Sequence, residues 1–246
     1  MEINHDPGVP DDSPWRVTNG LLVVELIIGR LQLGDDDFAM FQPARVNVAD
    51  YPDDASGPTY ATFGPLRDAP PLAGDAPITQ RLSRDGTVSN DAALATRGVT
   101  AANRVQQDGI DHQVASVFWE FMNSTGIIER NEEYVQDRLF ENPFYAIRLL
   151  VTDAYWATVR VGGTPRDVLL QCFERRCLTY NPANADGWQV EAGNVGQHYY
   201  EWRTANGPAQ PAATATPTPT STPAPGQPTS APSPTHTPAP APPTTR

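Results

Sequence analysis

Residues 172–196 read CFERRCLTYNPANADGWQVEAGNVG, and part of this stretch recurs at the start of the chain. In the later copy a strand-like run ends at Pro182 and is followed by a loop, Trp188, one residue, Val190 and a glycine three positions further on. Residues 1–20, MEINHDPGVPDDSPWRVTNG, keep the same order and the same spacing from the tryptophan onward. Self-similarity of this kind indicates a protein built from repeated modules.

The repeat divides the chain into four predicted segments. Residues 1–34 are expected to be the C-terminal part of a truncated first module, and residues 110–206 a complete second module. In residues 35–109 turn residues interrupt each short strand candidate, so an irregular β and loop connecting region is predicted there. Residues 207–246 form a fourth segment of different composition.

Hydrophobic periodicity and turn residues predict an α+β fold, in which small repeated modules combine helices with antiparallel strands. One helix is expected within residues 20–30, and the most regular one within residues 112–125, where apolar residues recur every three to four positions. Residues 152–156 are expected to form a short capped helix. Strands are predicted at 44–48, 59–63 and 78–82, and at 158–161 and 168–173, with a Gly-rich turn joining the last two.

The C-terminal segment, residues 207–246, differs in composition from everything before it. It holds 13 of the 26 prolines and no aromatic or acidic residue. Such a sequence cannot bury enough apolar surface to offset its ordering entropy, so an extended, disordered stalk is predicted. Segments rich in Pro, Thr and Ser are typical of O-glycosylated stalks and of linkers in extracellular proteins.

The rest of the sequence is strongly acidic. All 29 Asp and Glu residues precede position 203, against 17 Lys and Arg in the whole chain, for a net charge of −12. Because such a field repels phosphate groups, nucleic acid is excluded as a partner. The acidic runs at residues 35–37 and 53–54 lack the ligand spacing of an EF-hand, so no calcium site is expected.

The sequence bears on location in two ways. The first residues lack the basic and apolar regions of a signal peptide, and the longest apolar run, residues 21–28, contains Glu25 and is too short to cross a bilayer. The composition of the stalk favours an extracellular or cell-surface location for the intact protein. We therefore expect that location, with no signal peptide in this chain and no transmembrane segment.

Cys172 and Cys177 are five positions apart. In a continuous strand, an odd separation points two side chains to opposite faces, which excludes a bridge between them unless a turn intervenes. The sequence therefore favours two half-buried thiols and leaves their redox state open. No Cys or His spacing typical of a zinc site is present, so no metal and no cofactor are expected.

Two motifs carry a family resemblance. The run F-E-R-x-x-L-T-Y-x-P at residues 173–182 and the turn G-N-V-G at residues 193–196 resemble those of uncharacterised secreted bacterial proteins that carry paired small modules and Pro/Thr-rich linkers. The resemblance extends over most of residues 1–203. It implies an upstream half-module before the first residue and a role in attachment to the cell envelope.

Four aromatic residues near the end of the second module form a candidate binding surface: Trp188, Tyr199, Tyr200 and Trp202. Aromatic faces stack on sugar rings, so cell-wall or surface polysaccharide is the candidate partner. For each ring a place in the core is the alternative, and Trp188 in particular is expected to anchor the core of its module. We expect a non-catalytic extracellular or cell-envelope-associated module.

A hydrolase is the competing class. Glycoside cleavage needs two facing carboxylates, which Glu174 could form with Asp153 or Glu120, but an ion pair with a neighbouring arginine is the expected role of Glu174. Asp111 and His112 are expected to begin a helix as ordinary capping residues. Neither G-x-S-x-G nor H-E-x-x-H occurs. The sequence predicts no catalytic residue, and its alternative is an accessory fragment of a larger secreted hydrolase whose catalytic domain is absent from this chain.

Overall fold

The computed structural model describes residues 2–3, 7–8, 10, 13, 16–18, 20–34, 36–49, 54–107 and 109–206. Several of the positions discussed above lie outside the described residues: Trp15, the predicted counterpart of Trp188, the acidic residues Asp35 and Asp53, and the predicted stalk.

Helices and mostly antiparallel strands alternate along the described residues. The strands are β1 (Glu2–Ile3), β2 (Val17–Thr18), β3 (Arg30–Gln32), β4 (Phe38–Met40), β5 (Gln80–Leu82), β6 (Val88–Asn90), β7 (Ala101–Gln107), β8 (Ile110–Ala115), β9 (Thr125–Arg130), β10 (Glu133–Arg138), β11 (Tyr155–Val161), β12 (Thr164–Cys172), β13 (Cys177–Tyr180) and β14 (Val190–Ala192). The helices are α1 (Leu22–Ile28), α2 (Tyr60–Phe63), α3 (Ser116–Met122) and α4 (Val195–Asn206), with 3-10 turns at Gly64–Leu66 and Ala92–Arg97. These elements confirm the predicted α+β class.

A six-stranded sheet forms the centre of the fold, in the order β14-β13-β12-β11-β5-β6. Its strands pair antiparallel except β11 and β5, which run parallel where Trp156 lies opposite Arg81. The Arg81 guanidinium secures this junction, because it binds Asp167 on β12 at 2.7 Å and Asp91 at 3.0 Å. The other described strands form four two-stranded sheets: β1–β2, β3–β4, β7–β8 and β9–β10.

Two hydrophobic clusters cover the two faces of the sheet. Successive strand residues point to opposite faces, and Tyr155, Ala157 and Val159 accordingly lie in one cluster while Trp156 lies in the other. The first cluster contains buried residues of α1, α2 and α4, and the second contains Phe118 of α3. Because both faces are covered there, residues 155–157 of β11 and 168–172 of β12 are buried on both sides, whereas Thr158 and Arg160 of β11 are exposed.

The first cluster joins distant parts of the chain. It takes residues from each of the three folded segments proposed from the sequence: Val23 of residues 1–34, Tyr60 of residues 35–109 and Trp202 of residues 110–206. The described residues up to Asn206 accordingly group as one compact unit. The three segments therefore share a core.

The hairpin β11–β12 was predicted from its turn residues, and the structure confirms it. Gly162 and Gly163 occupy its turn with φ of 55° and 80°, a left-handed conformation that glycine adopts without a steric penalty. The helix expected within residues 20–30 is also confirmed as α1. Its first turn is completed by another part of the chain, since the Val23 N–H donates to the Glu174 carbonyl at 3.1 Å.

The prediction of two thiols is wrong, because Cys172 and Cys177 form a disulfide. Residues 173–176 turn the chain between β12 and β13, so the two cysteines lie directly opposite each other in the antiparallel pair. Residues that face each other across a hairpin share a face of the sheet whatever their sequence separation. The bridge is buried in the first cluster.

The predicted helix at 112–125 is shorter than expected. Residues 110–115 form β8 instead, because they pair with β7 and because the side chains of Asp153 and Gln171 accept the N–H groups of Gln113 and Ala115, at 2.7 and 3.1 Å. Only Ser116–Met122 is helical. Asp111 and His112 therefore lie in a strand and cap no helix.

Three other local predictions are corrected. Residues 59–63 were predicted as a strand but form α2, because Thr59 and Thr62 make a reciprocal capping box that favours a helix start. Residues 152–156 were predicted as a helix but lead into β11. Residues 44–48 form only an isolated bridge, between Asn47 and Thr59.

Two strand–loop–strand–helix units have matching registers. In the first, Ile3 pairs with Val17 and α1 begins at Leu22; in the second, Tyr180 pairs with Val190 and α4 begins at Val195. The helix thus begins five positions after the paired valine in both units (22 − 17 and 195 − 190). The two helices contact each other in the first cluster.

Within the described ranges, no helix combines the length and apolar character needed to cross a membrane.

Candidate functional site

Trp188 lies at the end of an ordered loop between β13 and β14, and 74% of it is exposed. The loop is held by its asparagines: Asn181 accepts the Ala183 N–H at 3.1 Å and donates to Asn184 at 2.9 Å, and Asn184 donates to the Trp188 carbonyl at 3.0 Å. The expectation that Trp188 anchors the core is therefore wrong. Internal hydrogen bonds fix the backbone of the loop and leave the indole in solvent.

The other three predicted site residues lie on α4 and divide into two groups. Tyr200 is 67% exposed, whereas Trp202 is 4% exposed and donates its indole N–H to the Gln42 carbonyl at 2.8 Å. Trp202 therefore does not belong to an exposed aromatic surface, because its ring packs edge-on against Phe41 in the core. Tyr199 is half-buried, and its ring packs against the Trp202 indole.

The Tyr199 hydroxyl connects the two matching helices. It donates to the Glu25 carboxylate on α1, and the other oxygen of that carboxylate accepts the Gln32 N–H at 2.9 Å. Burial, together with this hydrogen bond and the charge of Glu25, raises the pKa of Tyr199 well above its usual range. Tyr199 is therefore a neutral structural contact between α1 and α4.

A cavity of about 220 Å³ opens beside the Trp188 loop. Its apolar wall is formed by valines of β11, β12 and the segment before α2, and its polar wall contains four side chains: Thr179, Asn181, Glu191 and Asn194. Asn181 belongs to both the cavity wall and the loop that presents Trp188. The loop that carries the exposed indole is therefore joined through Asn181 to a cavity lined by amide, hydroxyl and carboxylate groups.

The structure describes no second carboxylate that contacts Glu174. Glu174 lies in the turn between β12 and β13, where its carboxylate binds the Arg148 guanidinium at 3.0 Å and the Leu149 N–H at 3.3 Å. An ion pair was expected, but its partner is Arg148 rather than the adjacent Arg175 or Arg176. The residues F-E-R-R thus form a turn that connects the sheet to the segment before β11.

The other two carboxylates considered for catalysis have separate surroundings. Asp153 is buried, and its two oxygens accept the N–H groups of Leu72 and Gln113, both at 2.7 Å. The His112 Nδ1 atom lies 3.5 Å from its Oδ1. Glu120 is exposed on α3. These carboxylates serve different parts of the structure.

Among the residues that the structure describes, no group of three or more His, Cys, Asp and Glu side chains comes together in a way that could hold a metal ion.

Sequence reasoning singled out Trp188 and Tyr200 but missed the asparagines that organise the loop. The signal was present, because Asn181 and Asn184 occur three positions apart beside Pro182, a spacing typical of turns closed by side-chain amides.

Comparison of the chain with protein families, with curated proteins and with solved structures found no match. The function must therefore be inferred from the geometry.

Proposed function

We propose that this chain is a non-catalytic module of the cell exterior or cell envelope that binds surface polysaccharide through Trp188, with Tyr200 as a second contact. The observation that carries the proposal is the exposure of Trp188 on a loop whose backbone is hydrogen-bonded internally. With 74% of its surface exposed, the indole contributes little to the core, and its face is accessible for stacking on a sugar ring.

The magnitude supports a role in binding. An indole can bury on the order of 200 Å², so covering the 74% of Trp188 that is exposed would contribute roughly 4 kcal/mol before entropy losses. The loop is held in one conformation, which keeps those losses small. A sugar ring suits the exposed indole because its apolar face can stack on an aromatic ring.

The disulfide supports an oxidising compartment. Bridges such as Cys172–Cys177 persist in secreted and surface proteins and are rare in reducing compartments. This agrees with the extracellular location proposed from the Pro/Thr-rich composition of residues 207–246.

Repeated modules are part of the same proposal. The β1–β2–α1 and β13–β14–α4 units share the pairing of their strands and the five-position spacing from the paired valine to the start of the helix. Repeats of this kind bury their apolar faces against one another, as α1 and α4 do. Modular repetition is common in proteins that bind extended polymers, because it multiplies weak contacts.

The test is retention of the full chain on insoluble polysaccharides, namely peptidoglycan, chitin, cellulose and purified envelope polysaccharide. The wild type is expected to be retained on at least one of them, and Trp188→Ala to weaken that retention by about tenfold or more, the effect of roughly 1.4 kcal/mol. Tyr200→Ala is expected to weaken it less.

Tyr134→Ala is the matched control, because Tyr134 is 79% exposed but lies on the separate β9–β10 hairpin. Its retention is expected to equal that of the wild type. Failure of the wild type to bind any of the four polymers, or an equal loss in Trp188→Ala and Tyr134→Ala, would overturn the proposal.

A further inference from the structure

A second cavity, of about 350 Å³, lies on the other side of the sheet, between β2, α3, the segment that follows β10 and the turn before β13. Its volume falls within the range of small-molecule sites in proteins. An apolar cavity of roughly 150 Å³ accommodates one benzene ring, so this cavity can hold a ring with a substituent. It is separate from the Trp188 loop and shares with the first cavity only Ala192.

Aromatic and aliphatic side chains form most of its wall. Phe121 of α3 and Phe140 pack with their ring centroids 5.7 Å apart and their planes inclined at 58°, and both line the cavity. Ile147 and Leu178 complete the apolar part of the lining. Such a surface favours a flat, apolar ligand, because rings pack against rings in tilted and offset arrangements.

Two adjacent arginines supply its charge. Arg175 is 4% exposed, and its guanidinium is held in place by donation to the Tyr145 carbonyl at 2.8 Å. Arg176 is half-buried, and within the described part of the chain it makes no ion pair. None of the described residues that line the cavity is acidic.

The charged side chains that the structure describes in the lining of this cavity are both cationic, in contrast to the chain as a whole. The chain has a net charge of −12, and the acidic residue nearest in sequence, Glu174, is already bound to Arg148 at 3.0 Å. The Arg176 guanidinium is partly removed from water and pairs with none of the carboxylates that the structure describes. Such a group favours an anionic ligand, because a charge-assisted hydrogen bond offsets the cost of desolvation. A planar carboxylate matches the planar fork of arginine.

We propose that this cavity binds a small monocyclic carboxylate, with Arg176 pairing with the carboxylate and Phe121 and Phe140 contacting the ring. Arg175 contributes positive charge from a fixed position. The proposal is independent of polysaccharide binding, because it concerns a different set of residues.

The test uses the full chain and three probes in isothermal titration calorimetry: benzoate, cyclohexanecarboxylate and the neutral isostere benzamide. Benzoate is expected to bind at least about tenfold more tightly than benzamide, because the amide cannot form the ion pair. Arg176→Gln should lower benzoate affinity by about tenfold and leave benzamide unchanged, and Phe140→Ala should weaken all three probes.

Arg166→Gln is the matched control, since Arg166 is exposed on β12 and does not line the cavity. It should leave the binding of every probe unchanged. The comparison of benzoate with benzamide requires no variant, so it remains decisive if Arg176→Gln is poorly folded. Absence of heat with every probe up to about 10 mM, or equal affinities for benzoate and benzamide, would overturn the proposal.

Discussion

Removing the Cys172–Cys177 disulfide should lower the unfolding free energy by an amount set by the length of the short loop that the bridge closes. A bridge restricts the unfolded chain, and for a sequence separation of 5 the chain-entropy relation gives about 2 kcal/mol at 25 °C. Both cysteines are buried, so replacing them with alanine also leaves a small void in the first cluster. We expect the Cys172→Ala/Cys177→Ala variant to lose about 2–3 kcal/mol of unfolding free energy.

Urea unfolding followed by circular dichroism measures this difference directly. For a folded body of this size the same loss lowers Tm by roughly 4–12 °C. Wild-type protein unfolded in reducing buffer should fall close to the double variant, because its unfolded chain is then equally free. Thiol titration of the wild type in denaturant without reductant should detect no free thiol.

Two outcomes would refute the reasoning. Detection of two free thiols in freshly purified, denatured wild type would contradict the bridge itself. A bridge that is present but whose reduction changes the unfolding free energy by less than about 0.5 kcal/mol would contradict the loop-entropy argument.

Three further substitutions test contacts in the core, each by urea unfolding, and a change below about 0.5 kcal/mol would contradict the contact concerned. Tyr199→Phe removes the hydrogen bond to Glu25 and should lower the unfolding free energy by about 1–2 kcal/mol at neutral pH. The difference in stability between wild type and variant should disappear as the pH rises above about 10, because tyrosine then ionises in the unfolded chain. Trp156→Phe removes a fully buried indole that donates to the Ile78 carbonyl at 2.9 Å and should cost about 2–4 kcal/mol. Burial would raise the pKa of Asp54, but hydrogen bonds from the Ser56 side chain and backbone lower that pKa below its usual value. The Asp54 carboxylate therefore stabilises the protein above about pH 4, and this stabilisation is lost as the pH falls. Asp54→Asn should destabilise the protein at pH 7 and make its unfolding free energy depend less on pH between about pH 5 and pH 2.

Local turn chemistry could be predicted from the sequence wherever a single residue type is required. Gly162 and Gly163 adopt positive φ, so the hairpin they close was visible without any tertiary information. The run at residues 21–28 is apolar on most sides, which suits a helix buried between other elements.

Elements whose conformation depends on distant partners could not be predicted in the same way. Residues 110–115 contain apolar positions that fit a helical period, but Gln171 and Asp153, far along the chain, bind their backbone groups as a strand. Tyr155 and Trp156 are consecutive buried aromatics, because the sheet is covered on both faces and the alternation that normally reveals a strand is lost.

The candidate site was predictable in its residue types but not in their exposure. Large aromatic side chains are usually buried, so composition alone favoured a core position for Trp188. Its exposure follows from the hydrogen bonds of Asn181 and Asn184, whereas Trp202, four residues after the buried His198 on α4, faces the core. The disulfide was missed for a similar reason, because its geometry depends on the turn at residues 173–176.

The contact between α1 and α4 has a consequence for how the protein is made. Glu25 and Tyr199 are 174 positions apart, so at about 5–20 residues per second the ribosome needs roughly 10–35 s to add the second helix after the first. During that time Val23, Leu26 and Ile27 lack the helix that covers them in the folded state. Nascent chains that stop before residue 195 should therefore expose an apolar helix and depend on chaperones to stay unaggregated.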